Sequence, residues 1–131
     1  MIGIDTNVLV RFLVGDDRRQ LEKARSLIKL ASSRGEAILI SLLVLLEAEW
    51  VLRSRYGLAK TDILRAFSGL LDAAELTIED ETSVEQALFL WKESQVEFAD
   101  CLIGARHLNL GCRATASFDA RASRLPGFIP A

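Results

Sequence analysis

Four carboxylates stand out by their positions in this sequence. Asp5 ends a short apolar run, and Asp119 follows the last strand candidate by three residues. Glu47 comes directly after the apolar residues 42–46, and Asp100 lies within another apolar stretch. A buried, unpaired carboxylate is costly, and carboxylates that converge repel one another and raise one another's pKa. Because a divalent cation removes both problems, the four acids predict a metal site.

The side-chain types indicate which metal such a site would take. Mg²⁺ and Mn²⁺ prefer hard oxygen ligands, and water fills their remaining positions. Zinc is less favoured, since His107 is the one histidine and Cys101 and Cys112 have no metal-binding spacing. An ion held by carboxylates, with open water positions, is the usual apparatus for hydrolysing phosphate esters.

Several neighbouring polar residues each have two interpretations. Thr6, Asn7 and Ser117 could orient a metal-bound water or a carboxylate, or they could cap a helix. Glu97 precedes Asp100 by three residues and shares its helix face. We therefore expect Glu97 to be an outer or additional ligand.

Two acids on one predicted helix illustrate the structural alternative. Glu49 lies two residues after Glu47, so at about 100° per residue it faces roughly 200° away. It is expected to pair with Arg53, one turn later. Any single acid of this kind is more often a cap, a surface residue or half of an ion pair, so the prediction of a site depends on the four acids together.

Short apolar strands alternate with helices and position these acids. Strands are predicted at residues 2–5, 37–41, 76–78 and 113–116, and helices at about 17–35, 42–56, 60–72, 82–94 and 98–109, before an irregular tail. Thr82 and Glu85 form a candidate capping box, and Trp50 and Trp91 are expected in the core. The alternation predicts a three-layer α/β/α fold with a mainly parallel central sheet, which binds ligands beyond the carboxyl ends of its strands.

Length and composition are typical of one globular domain covering residues 1–131. Half of the residues are apolar, 26% are charged, and the formal net charge is −2. No signal sequence is visible, the apolar run 37–46 is too short to span a bilayer, and the cysteines are expected to be reduced, so we expect a cytoplasmic protein. The net charge alone argues against a nucleic-acid partner, but setting the four acids aside leaves a small basic excess.

Four blocks of the sequence resemble those of PIN-domain nucleases, in the same order and spacing. They are IDTNVLVR at 4–11, LEAEWVL at 46–52, FADCLI at 98–103 and SFD at 117–119. Within that family, the chain is most similar to the VapC-like toxins of bacterial toxin–antitoxin pairs, over essentially its whole length. Each block alone is a weak signal, but the four together are quite specific.

The resemblance implies an endoribonuclease that depends on Mg²⁺ or Mn²⁺. The acidic cluster of the family is matched by Asp5, Glu47, Asp100 and Asp119. Its hydroxyl positions are matched by Thr6 and Ser117, and Glu97 stands where many relatives carry an aspartate. The resemblance also implies a homodimer and a cognate antitoxin whose C-terminal segment covers the site.

Most of the 16 basic residues are arginines, whose planar guanidinium group suits phosphate. The candidates for contact with an RNA backbone are those near the acidic blocks, namely Arg11, Arg106, Arg113 and Arg121. Each of them has the alternative of being a solvated surface charge or a contact to a protein partner.

Other functions share parts of this pattern. A PIN-domain nuclease of RNA processing, outside a toxin–antitoxin pair, would use the same acids, as would an enzyme acting on DNA or another phosphate ester. A receiver-like signalling domain needs a lysine after a late strand, and the four lysines of this chain, Lys23, Lys29, Lys60 and Lys92, lie elsewhere. A degenerate PIN domain serving as a binding scaffold is disfavoured because all four acids are intact.

Overall fold

Parallel strands and helices alternate along the chain, which confirms the predicted α/β class. The computed structural model describes all 131 residues, which form two compact units, Met1–Glu79 and Asp80–Ala131. Every pair of hydrogen-bonded strands is parallel. None of the helices is both long enough and apolar enough to cross a membrane.

The first unit contains three strands and four helices. In chain order they are β1 (Ile2–Gly3), α1 (Thr6–Val14), α2 (Arg18–Ser33), β2 (Ile38–Ile40), α3 (Leu42–Ser54), α4 (Lys60–Asp72) and β3 (Leu76–Ile78). The strand order is β1-β2-β3, and Ile38 lies opposite both Ile2 and Leu76. Strand β2 is therefore central, and the complete burial of Ile38 and Ile40 explains its unbroken apolar sequence.

The helices of the first unit pack through their apolar stripes. Helix α1 packs against α2 and α3, and α3 packs against α4. Leu9, Leu45 and Leu52 are almost completely buried. Gly15 joins α1 to α2 with a φ of 68°, in the left-handed region that favours glycine at the end of a helix.

The second unit contains two helices, two strands and a 3₁₀ turn. In chain order they are α5 (Glu81–Glu93), α6 (Phe98–Asn109), β4 (Thr115–Ser117), the 3₁₀ turn (Ala122–Arg124) and β5 (Phe128–Pro130). Helices α5 and α6 pack closely, and the rings of Trp91 and Phe98 are 5.2 Å apart between centroids. The ring of Phe128 lies on Gly104 of α6, where any Cβ would overlap it.

Two predicted local structures are wrong. Helix α5 begins two residues earlier than the capping box at Thr82 predicts, because the carboxylate of Asp80 accepts a hydrogen bond from the Ser83 amide at 3.2 Å and caps the helix. The tail predicted to be irregular contains β5, which pairs with β4. Pro130 is tolerated there because it ends an edge strand, where a missing N–H breaks no pairing.

Predictions of burial are correct for one tryptophan and wrong for the other. Trp91 is buried as predicted, but Trp50 is 49% exposed. Leu43, in the part of α3 that we expect to be largely buried, is 78% exposed. The apolar run 42–46 is continuous, so it contains no periodicity that distinguishes the buried face of the helix from the exposed face.

Candidate active site

Asp5 lies where β1 leads into α1. Its Oδ1 accepts a hydrogen bond from the Val8 amide at 3.0 Å, so Asp5 itself is the N-cap of α1. Thr6 and Asn7, the alternative capping residues, are the first two residues of the helix, with Thr6 buried and Asn7 exposed. The exposed Asp5 carboxylate therefore combines a fixed position with an Oδ2 that accepts no hydrogen bond.

Glu47 and Asp5 line the same open groove in the first unit. The groove is formed by Asp5, Thr6, Asn7, Leu43, Val44 and Glu47. It lies where α1 packs against α3. Glu47 is exposed and takes part in none of the ion pairs of this unit. The structure thus brings together the two predicted site acids of the first unit.

Glu49, on the same helix, has a different environment from Glu47. It is 3% exposed, and its Oε2 accepts a hydrogen bond from Arg53 Nε at 2.9 Å. The predicted pairing of Glu49 with Arg53 is confirmed. The phase of α3 buries Glu49 rather than Glu47, although Glu47 directly follows the apolar run.

Three carboxylates lie close together in the second unit. Glu97 occupies the N-cap position of α6 without a side-chain capping bond, and Asp100 lies in the first turn. Partial burial raises the pKa of the Asp100 carboxyl, and the negative charges of Asp119 and Glu97 raise it further. The ion pair of this unit, between Arg106 and Asp80, involves none of the three. They form an acidic cluster that no basic side chain of the unit neutralises.

Asp119 lies in a turn after β4. Its Oδ1 accepts hydrogen bonds from the amides of Arg121 at 2.8 Å and Ala122 at 3.3 Å. Its own amide donates to the Ser117 hydroxyl at 3.0 Å. Ser117 therefore orients the backbone of Asp119, and Asp119, like Asp5, has one oxygen held by backbone amides while Oδ2 accepts no hydrogen bond.

Asp80, which was not among the predicted site residues, lies in the same unit but has a basic partner, unlike the acidic cluster. It accepts hydrogen bonds from the amide and hydroxyl of Ser83 and from Arg106 Nη1, the last at 2.9 Å. Burial alone would raise the pKa of Asp80, but the Ser83 hydrogen bonds and the Arg106 charge lower it. Asn109 donates to the Ser83 hydroxyl at 2.8 Å and completes a structural network.

The four arginines predicted to contact RNA differ in their present partners. Arg11 Nη1 donates to Asp16 Oδ1 at 3.0 Å and to the Tyr56 hydroxyl at 2.8 Å. Arg106 is paired with Asp80. Arg113 and Arg121 are exposed and form no ion pair. The latter two guanidinium groups are the more available of the four.

Sequence reasoning used Phe118 only as part of a motif, but its position is informative. The ring is 95% exposed beside Asp119. An aromatic residue between two polar ones, directly after a strand, was the available signal. His107, by contrast, has a structural role, because its Nδ1 lies 2.9 Å from the Thr115 hydroxyl.

The donor chemistry of these acids fits a hard divalent cation. In neither unit do three His, Cys, Asp or Glu side chains form a complete metal-binding group. The carboxylates offer oxygen atoms only, and in the second unit burial and the charges of Asp119 and Glu97 raise the pKa of Asp100, which has no basic partner. Oxygen donors with excess negative charge suit Mg²⁺ or Mn²⁺. The acids that could contribute ligands to such an ion are Asp5 and Glu47 in the first unit and Asp100 and Asp119 in the second unit.

Comparisons with known proteins identify the family of this chain. The chain is 25% identical over 122 residues to a VapC ribonuclease of Aquifex aeolicus (strain VF5), and the match covers 93% of this chain and 90% of that protein. The model of the PIN domain family matches residues 2–127. This chain therefore belongs to the PIN domain family.

Proposed function

We propose that this chain is an endoribonuclease that depends on Mg²⁺ or Mn²⁺. The observation that carries the proposal is the presence, in a PIN-domain chain, of carboxylates that the protein leaves without basic partners. The similarity to a VapC ribonuclease supports RNA as the substrate. Repulsion between these carboxylates lowers the stability of the folded protein, and an ion bound by their oxygens would offset that loss.

In this proposal the two units act as one domain over residues 1–131. Asp5, Asp100 and Asp119 would hold the principal ion, and Glu47 would position the attacking water or hold a second ion. Glu97, beside Asp100, would act from the outer shell of ligands. The groove shared by Asp5 and Glu47 supports their joint action.

The chemistry is hydrolysis of a phosphodiester bond. When bound, the divalent ion lowers the pKa of water and stabilises the charge that develops on the phosphate. A water oriented by Glu47 would attack phosphorus in line with the 3′ oxygen, which leaves, so the products would carry a 5′-phosphate and a 3′-hydroxyl. Ser117 would keep Asp119 in position, and Thr6 and Asn7 would line the groove beside Asp5.

Arginines would hold the RNA backbone. Arg113 and Arg121 are the stronger candidates, because both guanidinium groups are exposed and neither is in an ion pair. Arg11 and Arg106 are paired with Asp16 and Asp80, so each arginine would have to break its ion pair or bind phosphate while keeping it. Their contribution to RNA binding should accordingly be smaller.

The biological role we propose is that of the toxin in a cytoplasmic toxin–antitoxin pair. The similarity to a VapC ribonuclease supports this role. Exposed apolar side chains offer surface for a second copy and for the antitoxin: Leu43, Trp50, Phe89 and Leu110. Growth arrest on expression of the wild-type chain, relieved by co-expression of a short reading frame encoded next to it, would test this role separately from the chemistry, and a chain that does not arrest growth would contradict it.

The decisive experiment compares two aspartates that do the same structural work. Asp5 and Asp17 both cap helices, with 3.0 Å bonds to Val8 and Gln20 amides. Asparagine caps as well as aspartate, so Asp5→Asn and Asp17→Asn should both fold. With purified protein, single-stranded RNA and Mg²⁺, we expect Asp5→Asn to lose about a hundredfold or more of the cleavage rate, and Asp17→Asn to match the wild type.

The products and the metal requirement complete this test. Cleavage should stop in EDTA, return with Mg²⁺ or Mn²⁺, and leave ends that a 5′-phosphate-dependent exonuclease degrades. DNA of the same sequence should remain intact. Undiminished RNA cleavage by Asp5→Asn would refute the assignment of the site.

A further inference from the structure

The second unit presents one aromatic ring almost entirely to solvent. Phe118 is 95% exposed, whereas Trp91 and Phe98 of the same unit are buried. Its neighbours in the chain, Ser117 and Asp119, are polar, so the ring is not part of a continuous apolar segment. The ring therefore stands outside any continuous apolar segment and next in sequence to a proposed metal ligand.

The backbone that carries this ring is well fixed. The Asp119 amide donates to the Ser117 hydroxyl, and the Ser123 hydroxyl donates to the Asp119 carbonyl at 2.9 Å. On the other side, the Ala131 amide donates to the Ser117 carbonyl at 2.9 Å. The exposure of Phe118 thus belongs to an ordered turn, which can present a ring to a ligand in a defined position.

A basic groove begins in the same turn. It is lined by Ser94, Gln95, Val96, Arg121, Arg124 and Leu125. Arg121 and Arg124 are exposed and follow the exposed ring of Phe118 by three and six residues. Guanidinium groups and aromatic rings are the two parts that proteins use for single-stranded nucleic acid: guanidinium groups follow the phosphates, and a ring stacks on a base. This combination of charge and ring favours RNA over an apolar protein surface as the occupant.

We propose that Phe118 stacks on a base of single-stranded RNA beside the phosphodiester that is cleaved, while Arg124 contacts a backbone phosphate. The proposal rests on the proposed function, in which Asp119 helps to hold the ion at that phosphodiester. Consecutive Cα atoms are about 3.8 Å apart, so the backbone of Phe118 lies within one residue of the proposed ligand Asp119, and the nucleotide on the ring would be one near the reacting phosphate. Because every base has a stacking face, Phe118 would position the RNA without dictating its sequence.

Binding to two matched oligonucleotides tests the stacking. In an Asp5→Asn background with Mg²⁺, fluorescence anisotropy would compare a labelled oligoadenylate with the same oligomer made abasic throughout. We expect Phe118→Ala and Phe118→Leu to weaken binding of oligoadenylate about tenfold and to leave the abasic oligomer unaffected. Phe118→Trp should bind oligoadenylate as tightly as its parent.

The proposed phosphate contact has a different signature. Arg124→Gln should weaken binding of both oligomers and reduce the slope of log affinity against log salt by about 0.7. The Phe118 variants should leave that slope unchanged. Stacking is refuted if Phe118→Ala binds oligoadenylate like its parent, if leucine replaces the ring fully, or if the abasic oligomer is equally affected.

Two further measurements separate this inference from its alternatives. If Phe118→Ala changes the mass of the assembly in light scattering but not RNA binding, the ring belongs to a protein interface and the inference is wrong. With Asp5 intact, Phe118→Ala should raise KM more than it lowers kcat. A wild-type chain that fails to cleave RNA refutes the proposed function, whereas a cleaving wild type with the same KM as Phe118→Ala refutes only the stacking.

Discussion

An acidic side chain lies near each end of helix α6, and the two have opposite electrostatic environments. In its first turn Asp100 has Asp119 and Glu97 as neighbours, and burial together with their charges raises its pKa. In its last turn Arg106 lies 2.9 Å from Asp80, whose pKa is lowered. The comparison shows that the protein pairs one carboxylate with an arginine of its own and leaves the other among acidic neighbours.

The same contrast occurs on α3 in the first unit. Glu49 is buried against Arg53, while Glu47, two residues earlier, lines the open groove with Asp5. Both residues are glutamates, so the difference comes from the helix face that each occupies and from the ion pair of Glu49 with Arg53. The following predictions test whether this distinction separates folding from function.

The largest expected effect is on catalysis. Asp100→Asn should lower kcat/KM for RNA by about a hundredfold or more, equivalent to about 3 kcal/mol of transition-state stabilisation, because an amide oxygen is a weaker ligand than a carboxylate. Asp80→Asn makes the same chemical change at the other end of α6 and should leave the activity of folded protein near that of the wild type. Equal losses of activity in the two variants would show that the distinction is false.

An intermediate effect is expected on stability at the other end of the helix. Asp80→Asn should lower the free energy of unfolding by about 1–2 kcal/mol at neutral pH, since asparagine can cap α5 in the left-handed region but offers Arg106 no charge. Urea unfolding followed by circular dichroism measures the change.

The pH dependence of this effect has a defined sign. Because the pKa of Asp80 is lowered in the folded protein, its contribution is complete above the ordinary unfolded value of about 3.9 and is lost as pH falls through the folded pKa. The stability difference between the wild type and Asp80→Asn should therefore shrink in acid. A difference that stays constant into strong acid would mean that the charge of Asp80 is unimportant.

The smallest expected effect is a gain of stability. Without divalent ions, Asp100→Asn should raise the free energy of unfolding by a few tenths of a kcal/mol at neutral pH, because it removes a partly buried charge and the repulsion from Asp119 and Glu97, which solvent partly screens. Because the pKa of Asp100 is raised in the folded protein, the gain should shrink as pH falls through the folded pKa and vanish below the ordinary unfolded value of about 3.9, where the carboxyl is protonated in both states. Added Mg²⁺ should reverse the order by stabilising the wild type, and thermal melts in EDTA and in Mg²⁺ would show both effects. A loss of stability in EDTA would contradict the prediction.

Local sequence signals predicted much of the fold. Helices α4 and α6 and strand β3 have the predicted bounds, because periodicity and end signals act over a few residues. Strand β5 was missed because its pairing with β4 joins segments that are distant in sequence. The two roles of Asp80 were missed because it caps α5 from a left-handed backbone and pairs with Arg106 of another helix.

The candidate site was predictable in its residue types but not in its detailed arrangement. The position of Asp5 after a strand and the shared face of Glu97 and Asp100 could be inferred from spacing. The phase that buries Glu49 and exposes Glu47 could not, since the apolar run before them contains no periodicity. Whether an acid has a basic partner depends on the folded structure, and this decides which acids are free to bind a ligand.

Asp5 and Asp119 share a feature whose consequence is entropic. In each, Oδ1 is fixed by backbone amides while Oδ2 accepts no hydrogen bond. A side chain that is immobilised on binding typically loses about 0.5–1.5 kcal/mol of conformational freedom. These two carboxylates have already lost most of that freedom when the chain folds, so capture of a cation would require little further ordering of either side chain.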